Sequence, residues 1–180
     1  MIELVALDAD DTLWHNEPRY TSTRERLCEL IAKYGLVEAI DERLYATERR
    51  NLRHFGYGVK GFVLSMIETA IELTGGRFES GDVSTIIDWG RDMLRSPIDL
   101  LDGVQGAVES LAGSVPLILV TKGDLLDQET KLARSGLGRH FRGIEVVSEK
   151  HCRAYERVMT RYGVAPDRFS KLLWPFGQEI

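Results

Sequence analysis

The stretch V5-A-L-D-A-D-D-T-L-W14, or VALDADDTLW, decides how the rest of the chain is read. It begins inside the apolar run IELVAL (residues 2–7), which is rich in strand formers and too short for a helix. Such a run predicts a buried strand of the parallel type. Three carboxylates, Asp8, Asp10 and Asp11, follow within four residues. Aspartates commonly build turns or cap helices after strands. Charges this close repel one another, however, so a turn alone explains the crowding poorly, whereas a cation among them explains it well.

Further along, VPLILV (115–120), GIEVV (143–147) and KLLW (171–174) repeat the short apolar pattern. Helical periodicity lies between them, in GVQGAVESLAGS, LLDQETKLARSGLG and AYERVMTRYGV, with glycines marking the stops. This alternation predicts an α/β fold, a parallel Rossmann-like sheet flanked by helices. Residues 17–100 differ, with four helical patterns and no convincing strand. They are expected to form an all-helical insert, with 1–16 and 101–180 making the α/β core. Pro97 and the Asp-Gly pair at 102–103 mark the return.

Composition narrows the function classes. The chain has 180 residues, 43% of them hydrophobic and 28% charged, so one domain with an insertion and a proper core is expected. A net charge of −5 without a basic run argues against nucleic acid as a partner. No apolar stretch approaches the roughly 18 residues of a membrane span, and the N-terminal end lacks signal-peptide architecture. A cytoplasmic location and no membrane partner are expected. Cys28 and Cys152, the two cysteines, have neither framework nor metal-ligand spacing. Nothing in the sequence specifies an oligomeric state.

In an open parallel sheet, ligands bind beyond the carboxyl ends of the strands. Asp8 and Asp10 follow the first strand, Thr121, Lys122 and Asp124 the second, and Lys150 the third. Carboxylates, a hydroxyl and an ammonium are thereby brought to one sheet edge, a set suited to phosphoryl transfer. One carboxylate attacks as nucleophile, a second moves the proton, and the hydroxyl and lysine hold the phosphoryl oxygens. Mg2+, a hard cation preferring oxygen, would screen the aspartates and clamp the phosphate.

VALDADDTL resembles the first motif of the haloacid dehalogenase superfamily, an apolar strand followed by Asp-x-Asp-x-Thr. LILVTKGD resembles its second motif, and VVSEK is similar to the third motif of a phosphatase-like branch. The helical insert resembles that superfamily's cap. The resemblance implies Asp8 as nucleophile and Asp10 as acid/base, with Asp8 and the Asp10 carbonyl as ligands of a Mg2+ cofactor. It implies Thr121 and Lys150 as phosphate-binding residues. It also implies a phosphomonoester hydrolase acting on a small phosphorylated metabolite, since members that cleave carbon–halogen bonds typically lack the second carboxylate. Lys122 is a further substrate candidate. In the insert, RRNLRHFGYGVKGF (49–62) offers Arg53, His54 and Lys60 for reading the leaving group. Asp11 is expected to shape the turn and Trp14 to lie in the core.

The superfamily's fourth motif, Gly-Asp or Gly-Asn after the next strand, has no counterpart in DRFSKLLWPFGQEI. Glu179 is the one candidate for its metal ligand. The core is expected to be truncated at its C-terminal end, and an impaired fragment or a phosphate-binding module is the competing reading. A 2-haloacid dehalogenase is a third.

Overall fold

The computed structural model describes residues 1–36 and 38–172, so Glu179 and the expectations placed on the tail lie outside the described residues. Four strands, β1 (Leu4–Leu7), β2 (Leu117–Thr121), β3 (Phe141–Val146) and β4 (Phe169–Leu172), form one sheet in the order β3-β2-β1-β4. Every pairing among them is parallel, with Leu7 opposite both Leu119 and Leu172. Among the described residues, seven α-helices accompany the strands, giving an α/β Rossmann-like fold.

The sheet unit comprises Met1–Asn16 and Pro97–Ile180. Strand alternation sends alternate side chains to opposite faces, and both faces here are apolar. Val5, Leu7, Leu117 and Leu119 pack on one side with Val108 of α5 (Val104–Ala112) and Leu132 of α6 (Leu125–Arg134). Leu4, Ala6, Ile118 and Val120 pack on the other with Tyr155 and Val158 of α7 (Cys152–Tyr162). Burial on both faces is why β1 and β2 appear as continuous apolar runs rather than alternating ones. His151 caps α7, its Nδ1 accepting the Ala154 N–H at 3.1 Å.

The helical unit is Glu17–Ser96. Its helices are α1 (Glu17–Ala32), α2 (Ile40–Phe55), α3 (Val59–Leu73) and α4 (Ser80–Arg95). Leu27, Ile31, Leu44, Met66, Ile86 and Trp89 meet in its own core. The helix α1 opens on Glu17-Pro18, and Pro18 is tolerated in a first turn, where N–H groups lack intrahelical partners anyway. Pro97–Leu100, expected in the helical insert, group with the sheet unit. Ile98 and Leu100 pack against its core, and Leu100 bridges to Trp14. No helix of the described residues is long and apolar enough to cross a membrane.

The turn between α2 and α3 brings Gly61 so close to the preceding loop that a β-carbon there would lie 2.7 Å from the Gly56 carbonyl oxygen. Backbone cannot swing aside as a side chain can. We expect Gly61→Ala to destabilise the protein by about 1–3 kcal/mol, despite alanine's better helix propensity. A thermal melt reads this as a drop of roughly 2–4 °C per kcal/mol for a chain of this length.

Candidate active site

Parallel strands place their carboxyl ends on one side of a sheet, and the candidate residues follow β1, β2 and β3 there. The backbone after β1 turns back at once, with Thr12 and Leu13 both donating to the Ala9 carbonyl. Asp11 adopts a left-handed φ of 54° to allow this, and its carboxylate accepts the Asn16 N–H at 2.8 Å. Asp11 therefore shapes the loop, as its short polar side chain suits it to do. The turn also brings Trp14 back over Asp10.

Asp8 lies directly beyond β1. Its Oδ1 accepts the Ala9 N–H at 2.8 Å and pairs with the Lys150 ammonium, which arrives from the loop after β3. Asp8 and Lys150 are both largely covered, with side-chain exposures of 19% and 17%. An ion pair this sheltered is screened less by solvent than one on the open surface.

Asp10 is gripped from three directions. The Trp14 indole N–H donates to Oδ1 at 2.8 Å, the Lys131 ammonium reaches the same oxygen at 3.0 Å, and Gln128 Nε2 donates to Oδ2 at 2.7 Å. Lys131 and Gln128 come from α6, whose first turn is capped by Asp124 accepting the Asp127 N–H. Lys131 also pairs with Asp127 at 3.3 Å and donates to Asn16 Oδ1 at 3.0 Å. Burial pushes the Asp127 carboxyl above its ordinary value, the Lys131 charge opposes that, and Asp10 and Asp124 add to the rise.

Thr121 ends β2, buried, with its hydroxyl donating to the Lys122 carbonyl at 3.2 Å. The same carbonyl accepts from Gln128 Nε2. Gly123 permits this closeness, with φ of 119° and only 3.2 Å between a would-be β-carbon and Gln128 Nε2. Tyr155 stands near Asp8; burial raises its phenol, and the Asp8 charge raises it further. Arg53 and His54 sit in the last turn of α2 and Lys60 in the first turn of α3, all three exposed on the helical unit, with Arg53 donating to His54 at 3.0 Å.

Residues 2–169 match the family described as haloacid dehalogenase-like hydrolase. The chain belongs to this hydrolase family. Among solved structures, a haloacid dehalogenase-like family hydrolase from Xanthomonas campestris is 44% identical, with a TM-score of 0.89 over 94% of this chain and 72% of that one. A 2-haloacid dehalogenase from Pseudomonas syringae shares 21% identity, with a TM-score of 0.63 over 95% of this chain and 77% of that one. A predicted phosphoglycolate phosphatase from Haemophilus somnus shares 15%, with a TM-score of 0.62 over 94% and 76%. The last two likenesses speak for the fold alone. No curated protein matches the chain.

Members of the family commonly use Mg2+, and the donor chemistry beside β1 suits that ion. It is all oxygen: the second carboxylate oxygen of Asp8 and the Asp10 carbonyl. Mg2+ usually keeps several waters and takes only one or two carboxylates plus substrate phosphate. The Asp10 carboxylate already receives three donors, which disfavours it as a cation ligand. Among the described residues, no group of three or more His, Cys, Asp or Glu could hold a metal ion.

Lys131, Gln128 and Asn16 escaped the reading of the sequence. In DQETK, Asp127 and Lys131 are spaced as i and i+4, which ordinarily marks an exposed pair. Nothing local marks that pair as covered, yet Asp127, Gln128 and Lys131 are all buried.

Proposed function

We propose that this member of the family is a Mg2+-dependent phosphomonoester hydrolase acting on a small phosphorylated metabolite through an aspartyl-phosphate. The observation that carries this reading is the Asp8 carboxylate paired with Lys150, with a second carboxylate, Asp10, held in place two residues on. A carbon–halogen bond needs no proton on its leaving atom, whereas an ester oxygen does, so the second carboxylate favours phosphate esters.

In the first step an Asp8 oxygen attacks phosphorus, the ester P–O bond breaks, and Asp10 gives the departing oxygen a proton. In the second, Asp10 takes a proton from water as the water oxygen attacks the phosphoryl group, which leaves as phosphate and restores the Asp8 carboxylate. The Lys150 ammonium steadies the anionic oxygens in both steps. The Thr121 hydroxyl turns from the Lys122 carbonyl to a phosphoryl oxygen. Asp8 and the Asp10 carbonyl would hold Mg2+, which would supply charge neutralisation for the reaction. Arg53, His54 and Lys60 are the candidates for recognising the leaving group, by their exposure and polar or charged ends.

The test is phosphate release from 4-nitrophenyl phosphate by the full chain. We expect release with Mg2+ and a loss of at least about 100-fold on chelation with EDTA, restored by added Mg2+. Phosphate binding without turnover would instead favour a phosphate-binding module, and halide release from a 2-haloacid would favour a dehalogenase.

A further inference from the structure

Lys131 is unusual for a lysine. Its side chain is only 6% exposed, and its ammonium meets three acceptors, Asp10 Oδ1 at 3.0 Å, Asn16 Oδ1 at 3.0 Å and Asp127 Oδ2 at 3.3 Å. An ammonium has three N–H donors, so all three are engaged. A lysine this buried is almost always paired, and here the pairing also fixes where the charge points. Asp127 and Lys131 stand one helical turn apart on α6, and Asn16 closes the loop that Asp11 shapes.

The consequence falls on Asp10. A carboxylate offers about four lone-pair sites. Oδ1 receives two donors, the Trp14 indole and Lys131, and is filled. Oδ2 receives one, from Gln128. The Gln128 amide is itself fixed, because turning it over would set its oxygen against two acceptors, Asp10 Oδ2 and the Lys122 carbonyl. This orientation leaves Gln128 Oε1 buried without a hydrogen-bond partner among the described residues.

We infer that Lys131 is a positioning residue: with Trp14 it locks Oδ1 of Asp10, leaving Oδ2 as the oxygen that passes the proton to and from substrate. This rests on the reading of Asp10 as the acid/base. Lys131 does not touch substrate; it acts through Asp10.

The experiment compares kcat/KM for phenyl phosphate and 4-nitrophenyl phosphate in wild type, D10N, K131M and the double variant. The phenyl ester depends on protonation of its leaving oxygen far more than the nitrophenyl ester. We expect K131M to lose at least about tenfold more on phenyl phosphate, a share of the 10²–10⁴-fold that a general acid supplies. In the D10N background, K131M should add less than about twofold, because the residue it serves is already gone. Equal losses on the two esters, or losses that multiply in the double variant, overturn the inference. W14F, which keeps an aromatic ring but no N–H, should show the same preference and carries the test should K131M not fold. Independently of turnover, the Trp14 indole N–H resonance, assigned by its absence in W14F, should shift in D127N, which loosens Lys131. An unmoved resonance counts against the inference. Failure of the underlying reading is separate: it appears as phenyl phosphate turnover by D10N at the wild-type rate.

Discussion

Asp8→Asn releases phosphate at least about 10³-fold more slowly than wild type, while its melting temperature stays within a few degrees. The substitution is nearly isosteric. Asparagine can still accept the Ala9 N–H that Asp8 Oδ1 accepts at 2.8 Å, so the local backbone is retained. What disappears is the anionic nucleophile, since an amide oxygen attacks phosphorus poorly, and with it the charge that pairs with Lys150. Steady-state phosphate release across a range of Mg2+ concentrations measures the effect. Wild-type rates in Asp8→Asn would remove Asp8 from the nucleophile's role.

Trp14→Ala lowers stability by about 3–5 kcal/mol. Trp14 is fully buried in the cluster formed by Val5, Leu7, Leu13 and Leu117, so truncation opens a cavity that close-packed neighbours fill only in part. For a chain of this length the melting temperature falls by roughly 2–4 °C for each kcal/mol. The variant also removes one of the two donors on Asp10 Oδ1. A melt within 2 °C of wild type, well short of that expectation, would mean that the site relaxes far more completely than a packed interior allows.

The sequence made the sheet legible where burial is uniform. LVAL (4–7) and LILV (117–120) are apolar at every position because β1 and β2 are covered on both faces, with every residue of both strands buried. β3 was legible only in part, since its residues are half-buried or exposed and its first turn of chain, Phe141-Arg142, alternates with polar character. Asp8, Asp10, Thr121 and Lys150 were singled out as candidates because strand ends are where chemistry collects in such sheets. The structure brings Lys150 onto Asp8, but it also brings Lys131 and Gln128 onto Asp10. Those last contacts join residues more than a hundred positions apart, through a helix whose polar face ordinarily points to water. No local pattern separates a buried Asp–Lys pair from an exposed one. Trp14 was read as core and is core; the destination of its N–H follows from the loop's reversal, which Asp11's left-handed backbone produces.

The position of β1 between β2 and β4 has a consequence for the order in which the protein assembles. β1 leaves the ribosome before both of its neighbours, finding one only after β2 is made and the other only after β4. Arg168 pairs with Glu3 across 165 residues of chain, next to that last pairing. Closing contacts so distant in sequence is entropically slow. The helices of Glu17–Ser96, by contrast, have their own apolar core from residues near one another in sequence and are complete much earlier. Synthesis thus favours a nascent chain whose helical part is organised while β1, carrying Asp8 at its end, still waits for its partners. During that interval an apolar strand stands unpaired, the state in which chaperone binding or aggregation competes with folding.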